Sequence, residues 1–203
     1  MDAIIYIHGK VGSAKEAEHY EQLFPSCDVV GLAYQGITPW DAGKEIQEAV
    51  TRLKATYGRI VLIANSIGAF LSMNADIEKG IVHAWFISPV VDMEKLIEDI
   101  MDRAGITEPE LRERGIIPTD FGEDLSWEYL SYVRQHPVSW SIPTDILYGS
   151  KDHLTSMETI TAFAKEHHAS LTVMEGGEHW FHTEEQMLFL GNWIRNSLDN
   201  GKI

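Results

Sequence analysis

The stretch from Arg59 to Glu78, RIVLIANSIGAFLSMNADIE, narrows what this chain can fold into more than any other. Ile60, Val61, Leu62 and Ile63 form a short apolar run rich in β-branched residues, the composition of a strand buried on both faces. From Gly68 onward, Ala69, Phe70, Leu71, Met73 and Ala75 favour a helix. A strand that becomes a helix within Ala64-Asn65-Ser66-Ile67-Gly68 must turn sharply on Ser66 and hold its hydroxyl, under strain, above the sheet. Small residues two before and two after the serine let strand and helix approach closely. The general pattern is G-x-S-x-G, and Ala64 stands in place of the first glycine. The plainer alternative is a serine N-cap on a buried helix, so the context has to come from the rest of the chain.

That context is a regular alternation. Ala3–Ile7, Cys27–Leu32, Arg59–Ala64, Ile81–Ile87, Ile142–Tyr148 and Leu171–Met174 read as strands. Between and after them lie helical patterns. One is capped by Ser13 and runs to about Leu23. A second starts at Thr38-Pro39 and shows Ile46, Ala49, Val50 and Leu53 on one face. Others follow Gly68, run from Thr155 to His167, and run from Thr183 to Leu198. Strands alternating with helices imply an α/β fold, a doubly wound, mainly parallel six-stranded sheet with helices on both faces. Ligands of such sheets sit at the carboxyl ends of the strands. His8-Gly9-Lys10, Ser66, Asp92, Asp152 and His179 all follow strands, so one edge of one sheet can gather them.

Residues 91–137 break the alternation. They hold no strand-like run, and they span roughly 45 residues where a connection of about 2–6 is usual. Met93, Leu96, Ile97, Ile100, Met101 and Ala104 form an apolar stripe at helical spacing. Thr107-Glu108-Pro109-Glu110 resembles a capping box, with Gly115 ending that helix, and Asp124 opens a third helix bearing Trp127, Leu130 and Val133. The expected arrangement is one domain over 1–203 with a helical cap inserted at 91–137. Phe121, Trp127, Tyr129 and Tyr132 either line a substrate pocket or pack the cap onto the core.

The formal net charge of −15 disfavours nucleic acid and anionic membrane surfaces as partners. No apolar run has the length of a membrane span. The start, MDAIIYIHGK, does not read as a signal peptide, and Cys27 is the sole cysteine, so a reducing cytoplasm is the expected compartment.

A serine hydroxyl is a weak nucleophile until a base takes its proton, and the base needs a carboxylate to hold its tautomer. Ser66, Asp152 and His179 stand in that chain order. The order, with the strand-turn-helix around Ser66, resembles the α/β-hydrolase superfamily over nearly the whole chain. By that resemblance the chain starts at the family's third strand, lacking two leading ones, and the strand order is 2-1-3-4-5-6 with the serine strand central. The resemblance places the acid at Asp152, in Gly149-Ser150-Lys151-Asp152, with Asp92 as rival, because some members carry it after the preceding strand. Asp145 falls at the wrong end of its strand. It places the histidine at His179, in Gly176-Gly177-Glu178-His179-Trp180, with His182 as competitor. It also implies an oxyanion hole from the backbone N–H groups of Ile67 and Lys10, with His8 bracing the loop.

His179-x-x-His182 has metal-pair spacing, but no third ligand is evident nearby, and no metal is expected. His167-His168 reads as a solvated helix end. No glycine-rich nucleotide motif follows the first strand, so no cofactor is implied. The expected function is a serine hydrolase acting on a small-molecule acyl substrate. A carboxylic ester is favoured over thioester, amide or carbon–carbon bonds. A non-catalytic binding protein on the same fold is the other class.

Overall fold

The computed structural model describes residues 1–120 and 124–199. In chain order the elements are β1 (Asp2–Ile7), a 3-10 turn (Ala14–Ala17), α1 (Glu18–Glu21), β2 (Cys27–Gly31), α2 (Pro39–Lys54), β3 (Arg59–Asn65), α3 (Ile67–Met73) and β4 (His83–Ile87). They continue with α4 (Met93–Ala104), α5 (Glu108–Arg114), β5 (Ile116–Ile117), β6 (Leu125–Ser126), α6 (Trp127–Gln135), β7 (Thr144–Gly149), α7 (Met157–Glu166), β8 (Ser170–Met174) and α8 (Glu184–Asp199).

Six strands form one sheet in the order β2-β1-β3-β4-β7-β8, every pair parallel. The order is the expected one, with β3 between β1 and β4. The pleat sends alternate side chains to opposite faces. Ile4, Tyr6, Val61, Ile63, Trp85, Ile87 and Leu147 pack with Tyr20, Leu23 and Phe24 of the α1 region and with Leu190, Trp193 and Ile194 of α8. α2 and α3 pack against each other and against β3. With both faces covered, β1, β3, β4 and β7 are buried almost throughout, which is why they read as continuous apolar runs.

The chain divides into two compact units, Met1–Val91 with Ser139 onward, and Asp92–Val138. Within the second, Arg134 of α6 bonds Glu94 and Glu98 of α4 and Glu108 of α5 at 2.6, 3.2 and 2.9 Å, tying three helices together. Two expectations for this segment are corrected. It holds a two-residue antiparallel ladder, Ile116↔Ser126 and Ile117↔Leu125, too short to leave an alternating pattern. Its third helix opens at Ser126, whose hydroxyl accepts the Tyr129 N–H at 3.2 Å, and not at Asp124, because the ladder holds the chain extended up to that point. Phe121, expected among the segment's aromatics, lies outside the described residues.

Other helices are shorter than their patterns. The Ser13–Leu23 pattern is realised as the 3-10 turn and the single turn of α1. The Thr155–His167 pattern starts at Met157, because the Thr155 N–H is committed to Asp152 and Ser156 caps the helix. Among the described residues no helix is long and apolar enough to cross a membrane.

Candidate active site

Ser66 joins β3 to α3 with φ 54° and ψ −124°, a left-handed conformation that costs a non-glycine residue strain. Three backbone hydrogen bonds impose it. The Ser66 N–H donates to the Ile87 carbonyl at 3.0 Å, and the Ser66 carbonyl accepts from Ala69 and Val90, each at 3.1 Å. Gly68 is required by close approach: a β-carbon there would stand 2.6 Å from the carbonyl oxygens of Ile7 and His8. Ala64 is fully buried within β3, level with Ile7 and Phe86. The missing first glycine therefore leaves the turn intact.

Ser66 Oγ lies 2.8 Å from His179 Nε2, and His179 Nδ1 lies 2.7 Å from Asp152 Oδ2. The other oxygen, Asp152 Oδ1, accepts the N–H groups of Leu154 at 2.8 Å and Thr155 at 3.2 Å. The Asp152 side chain is fully buried, while that of His179 keeps 26% of its surface in solvent. An ionised carboxylate only accepts, so it selects the tautomer with the proton on Nδ1 and leaves Nε2 to accept the Ser66 O–H. Burial, and then the nearby Asp152 charge, raise the Tyr148 phenol above its usual range. Its O–H donates to the Thr155 carbonyl at 2.7 Å.

The Asp152 and His179 loops are held together by two backbone hydrogen bonds and one to the Ser150 side chain. The Lys151 N–H donates to Gly177 O at 2.8 Å, the Ser150 N–H to Met174 O at 3.0 Å, and the Gly176 N–H to Ser150 Oγ at 2.8 Å.

The remaining candidates fall elsewhere. Asp92 is an exposed helix cap whose carboxylate accepts the Lys95 N–H at 2.9 Å. Asp145 lies near the amino end of β7, where it accepts the Ser197 O–H at 2.6 Å with His83 Nε2 at 3.3 Å. His182 Nδ1 faces the Trp180 carbonyl at 2.7 Å, and its ring stacks on Trp180. His167 Nδ1 bonds the Trp140 carbonyl at 2.9 Å. Among the described residues no group of three or more His, Cys, Asp or Glu side chains is placed to hold a metal ion.

The loop after β1 runs beside the serine. A β-carbon on Gly9 would stand 3.2 Å from Ser66 Cβ. His8 Nδ1 bonds the Gly9 carbonyl at 2.7 Å, its ring stacks on Tyr34, and the Tyr34 O–H donates to the His8 carbonyl at 2.8 Å. Lys10 follows as an exposed residue, and Ile67 opens α3, where first-turn N–H groups have no intrahelical acceptor. Tyr34 in this brace was not found from sequence, since nothing local links it to residue 8. The close approach of Gly149 to Gly177 was also missed, although both glycines sit at the sheet's carboxyl edge.

No protein-family model matches the chain, and no curated protein matches it. Solved structures do. Alpha/beta hydrolase domain-containing protein 10 from mouse superposes with a TM-score of 0.74 at 18% identity, over 98% of this chain and 90% of the mouse chain. Est1E from Butyrivibrio proteoclasticus gives 0.74 at 19%, over 98% and 87%. An esterase from Pyrococcus furiosus gives 0.63 at 20%, over 98% and 80%. At these identities the likeness is one of fold, and the chain has the α/β-hydrolase fold.

Proposed function

We propose that this chain is a serine hydrolase that cleaves a carboxylic ester of a small molecule through an acyl-enzyme. The observation that carries this reading is the unbroken hydrogen-bonded line from Ser66 Oγ through His179 to the buried Asp152. The line lies at the carboxyl ends of parallel strands, where such sheets hold ligands. The Pyrococcus furiosus neighbour is named an esterase, which agrees in kind.

In this reading Ser66 Oγ attacks the acyl carbon as His179 Nε2 takes the hydroxyl proton. Asp152 holds the ring and stabilises the imidazolium. Negative charge develops on the carbonyl oxygen and is met by the backbone N–H groups of Ile67 and Lys10. The tetrahedral species collapses, the carbon–oxygen bond to the alcohol breaks, and His179 returns the proton to the departing alkoxide. Water then attacks the acyl-serine, with His179 taking its proton and passing it back to Ser66 as the acid leaves. No other group has to enter the cycle.

The test is covalent labelling with a fluorophosphonate together with turnover of short p-nitrophenyl esters. Wild type labels on Ser66. Ser66→Ala does not label, and Ser66→Ala or His179→Ala loses on the order of 10⁴–10⁶ in kcat, the size of triad knockouts. An unlabelled wild type without ester turnover overturns the reading.

A further inference from the structure

Under β1, on the same sheet face as Tyr20, lies a polar network that the reaction above does not use. The Tyr6 O–H donates to Glu16 Oε2, and Tyr6 is 1% exposed. The other oxygen, Glu16 Oε1, accepts the Ser13 N–H at 3.1 Å. Tyr6 is level with Ile63 of β3, and Ile7 with Ala64, two residues before Ser66. A β-carbon on Gly12 would fall 2.7 Å from Glu16 Oε1, so the carboxylate lies directly against the loop. One buried phenol and one carboxylate thus join β1, the neighbour of the serine strand, to the far end of the loop that carries Lys10. A carboxylate with two hydrogen-bond donors, one of them buried, is costly to displace, which makes this a rigid link.

We propose that Tyr6 and Glu16 are positioning residues for the oxyanion hole: by tying the Ser13 end of the loop back to β1, which pairs with the serine strand β3, they hold the loop of Lys10 in register with Ser66 and Ile67. The proposal rests on the hydrolase reading. The two donors belong to separate segments, one after β1 and one after β3. Their spacing must be preset, because an oxyanion hole works only if its donors need no reorganisation when charge develops. Small displacements of such groups are expensive in rate. The Tyr34 brace holds the loop only at His8, its near end, whereas Glu16 holds it at Ser13. Burial keeps the Tyr6 phenol protonated far above its ordinary range, so the donor to Glu16 persists at every working pH.

The experiment uses the full chain with Tyr6→Phe, Glu16→Ala, Glu16→Gln and a remote control, Tyr57→Phe, whose hydroxyl bonds Asp28. Two readouts are taken: amide hydrogen exchange of residues 9–13 and 66–69, and kcat and KM on p-nitrophenyl acetate, per serine titrated with fluorophosphonate. Tyr6→Phe and Glu16→Ala are expected to speed exchange in both segments. They should lower kcat roughly 10- to 100-fold with KM within about threefold, the signature of an interaction made in the transition state. Glu16→Gln, which keeps an oxygen for Ser13 and a partner for Tyr6, should recover most of the rate. Tyr57→Phe should match wild type. If wild type labels and turns over while the variants exchange or turn over like it, the proposal falls and the hydrolase reading stands. If wild type neither labels nor turns over, both fall.

Discussion

Gly149 and Gly177 pack backbone to backbone: a β-carbon built on Gly177 would stand 3.1 Å from the Gly149 Cα, and one built on Gly149 would stand 2.7 Å from the Glu178 carbonyl oxygen. The contact joins the end of β7, three residues before Asp152, to the loop that carries His179. Gly149→Ala must push the two loops apart. The expected cost is about 1–3 kcal/mol of stability, as for overpacking elsewhere, with at least a tenfold loss of ester turnover per folded molecule. Thermal unfolding and active-site titration of the variant check this, and wild-type values in both would refute it.

Strain at Ser66 predicts a trade between stability and activity. A residue held in a sparsely populated conformation costs about 1–3 kcal/mol, and glycine adopts positive φ without that cost. Ser66→Gly should therefore be more stable to denaturant than Ser66→Ala, by about 1 kcal/mol, though both lack the Ser66 hydroxyl. Equal stability of the two variants would show that the turn is relaxed.

Asp152→Asn separates orientation from folding. The amide oxygen can still accept from Leu154 and Thr155, so the loop keeps its shape. Its NH2 group then faces His179 Nδ1 and favours the wrong ring tautomer, for an expected loss of roughly 10³–10⁴ in kcat. Asp92→Asn should change kcat less than about twofold, since asparagine caps a helix as well as aspartate does. A larger loss at Asp92 than at Asp152 would reverse the assignment of the acid.

Alkaline pH should destabilise the fold through its buried phenols. Burial raises Tyr6 and Tyr20 well above the usual tyrosine range, the neighbouring Glu16 adding to both, and pushes Tyr34 up to about 12. Each keeps its proton in the folded state after the unfolded chain, titrating near 10, has lost it. Folding then takes up protons. The stabilisation is whole below pH 10 and declines above it, by about 1.4 kcal/mol per pH unit for each phenol. Denaturant unfolding at pH 9, 10 and 11 measures the slope, which Tyr6→Phe should flatten by one such increment. An unchanged slope would mean that Tyr6 titrates normally.

At the other end of the sheet, the Ser197 O–H donates to the buried Asp145 and its oxygen accepts the Trp85 indole N–H at 3.0 Å. Ser197→Ala removes a donor to a buried carboxylate and should cost about 1–3 kcal/mol. The kinetic constants of the folded fraction should stay at wild-type values, because the cluster lies at the amino ends of β4 and β7. A variant that melts with wild type would show that water replaces the hydroxyl.

Six strands alternating with helices, and the turn on Ser66, were legible in the sequence by itself, because burial on both faces and helical spacing are written residue by residue along each element; the order β2-β1-β3-β4-β7-β8 was expected only from the family resemblance. The family resemblance, carried by chain order and loop position, singled out Ser66, Asp152 and His179 as candidates. Only the tertiary structure decided that the His179 ring bonds Asp152, while Asp92 caps α4. It alone brought His83 and Ser197 to Asp145, and Glu16 to Tyr6. It also placed the Ser126 cap and the short ladder before it, where local signals favoured Asp124. The division has one physical cause. Periodicity records which side of an element meets the core, whereas a hydrogen bond between segments far apart in sequence depends on distances of a few tenths of an ångström that exist only once the whole sheet has packed.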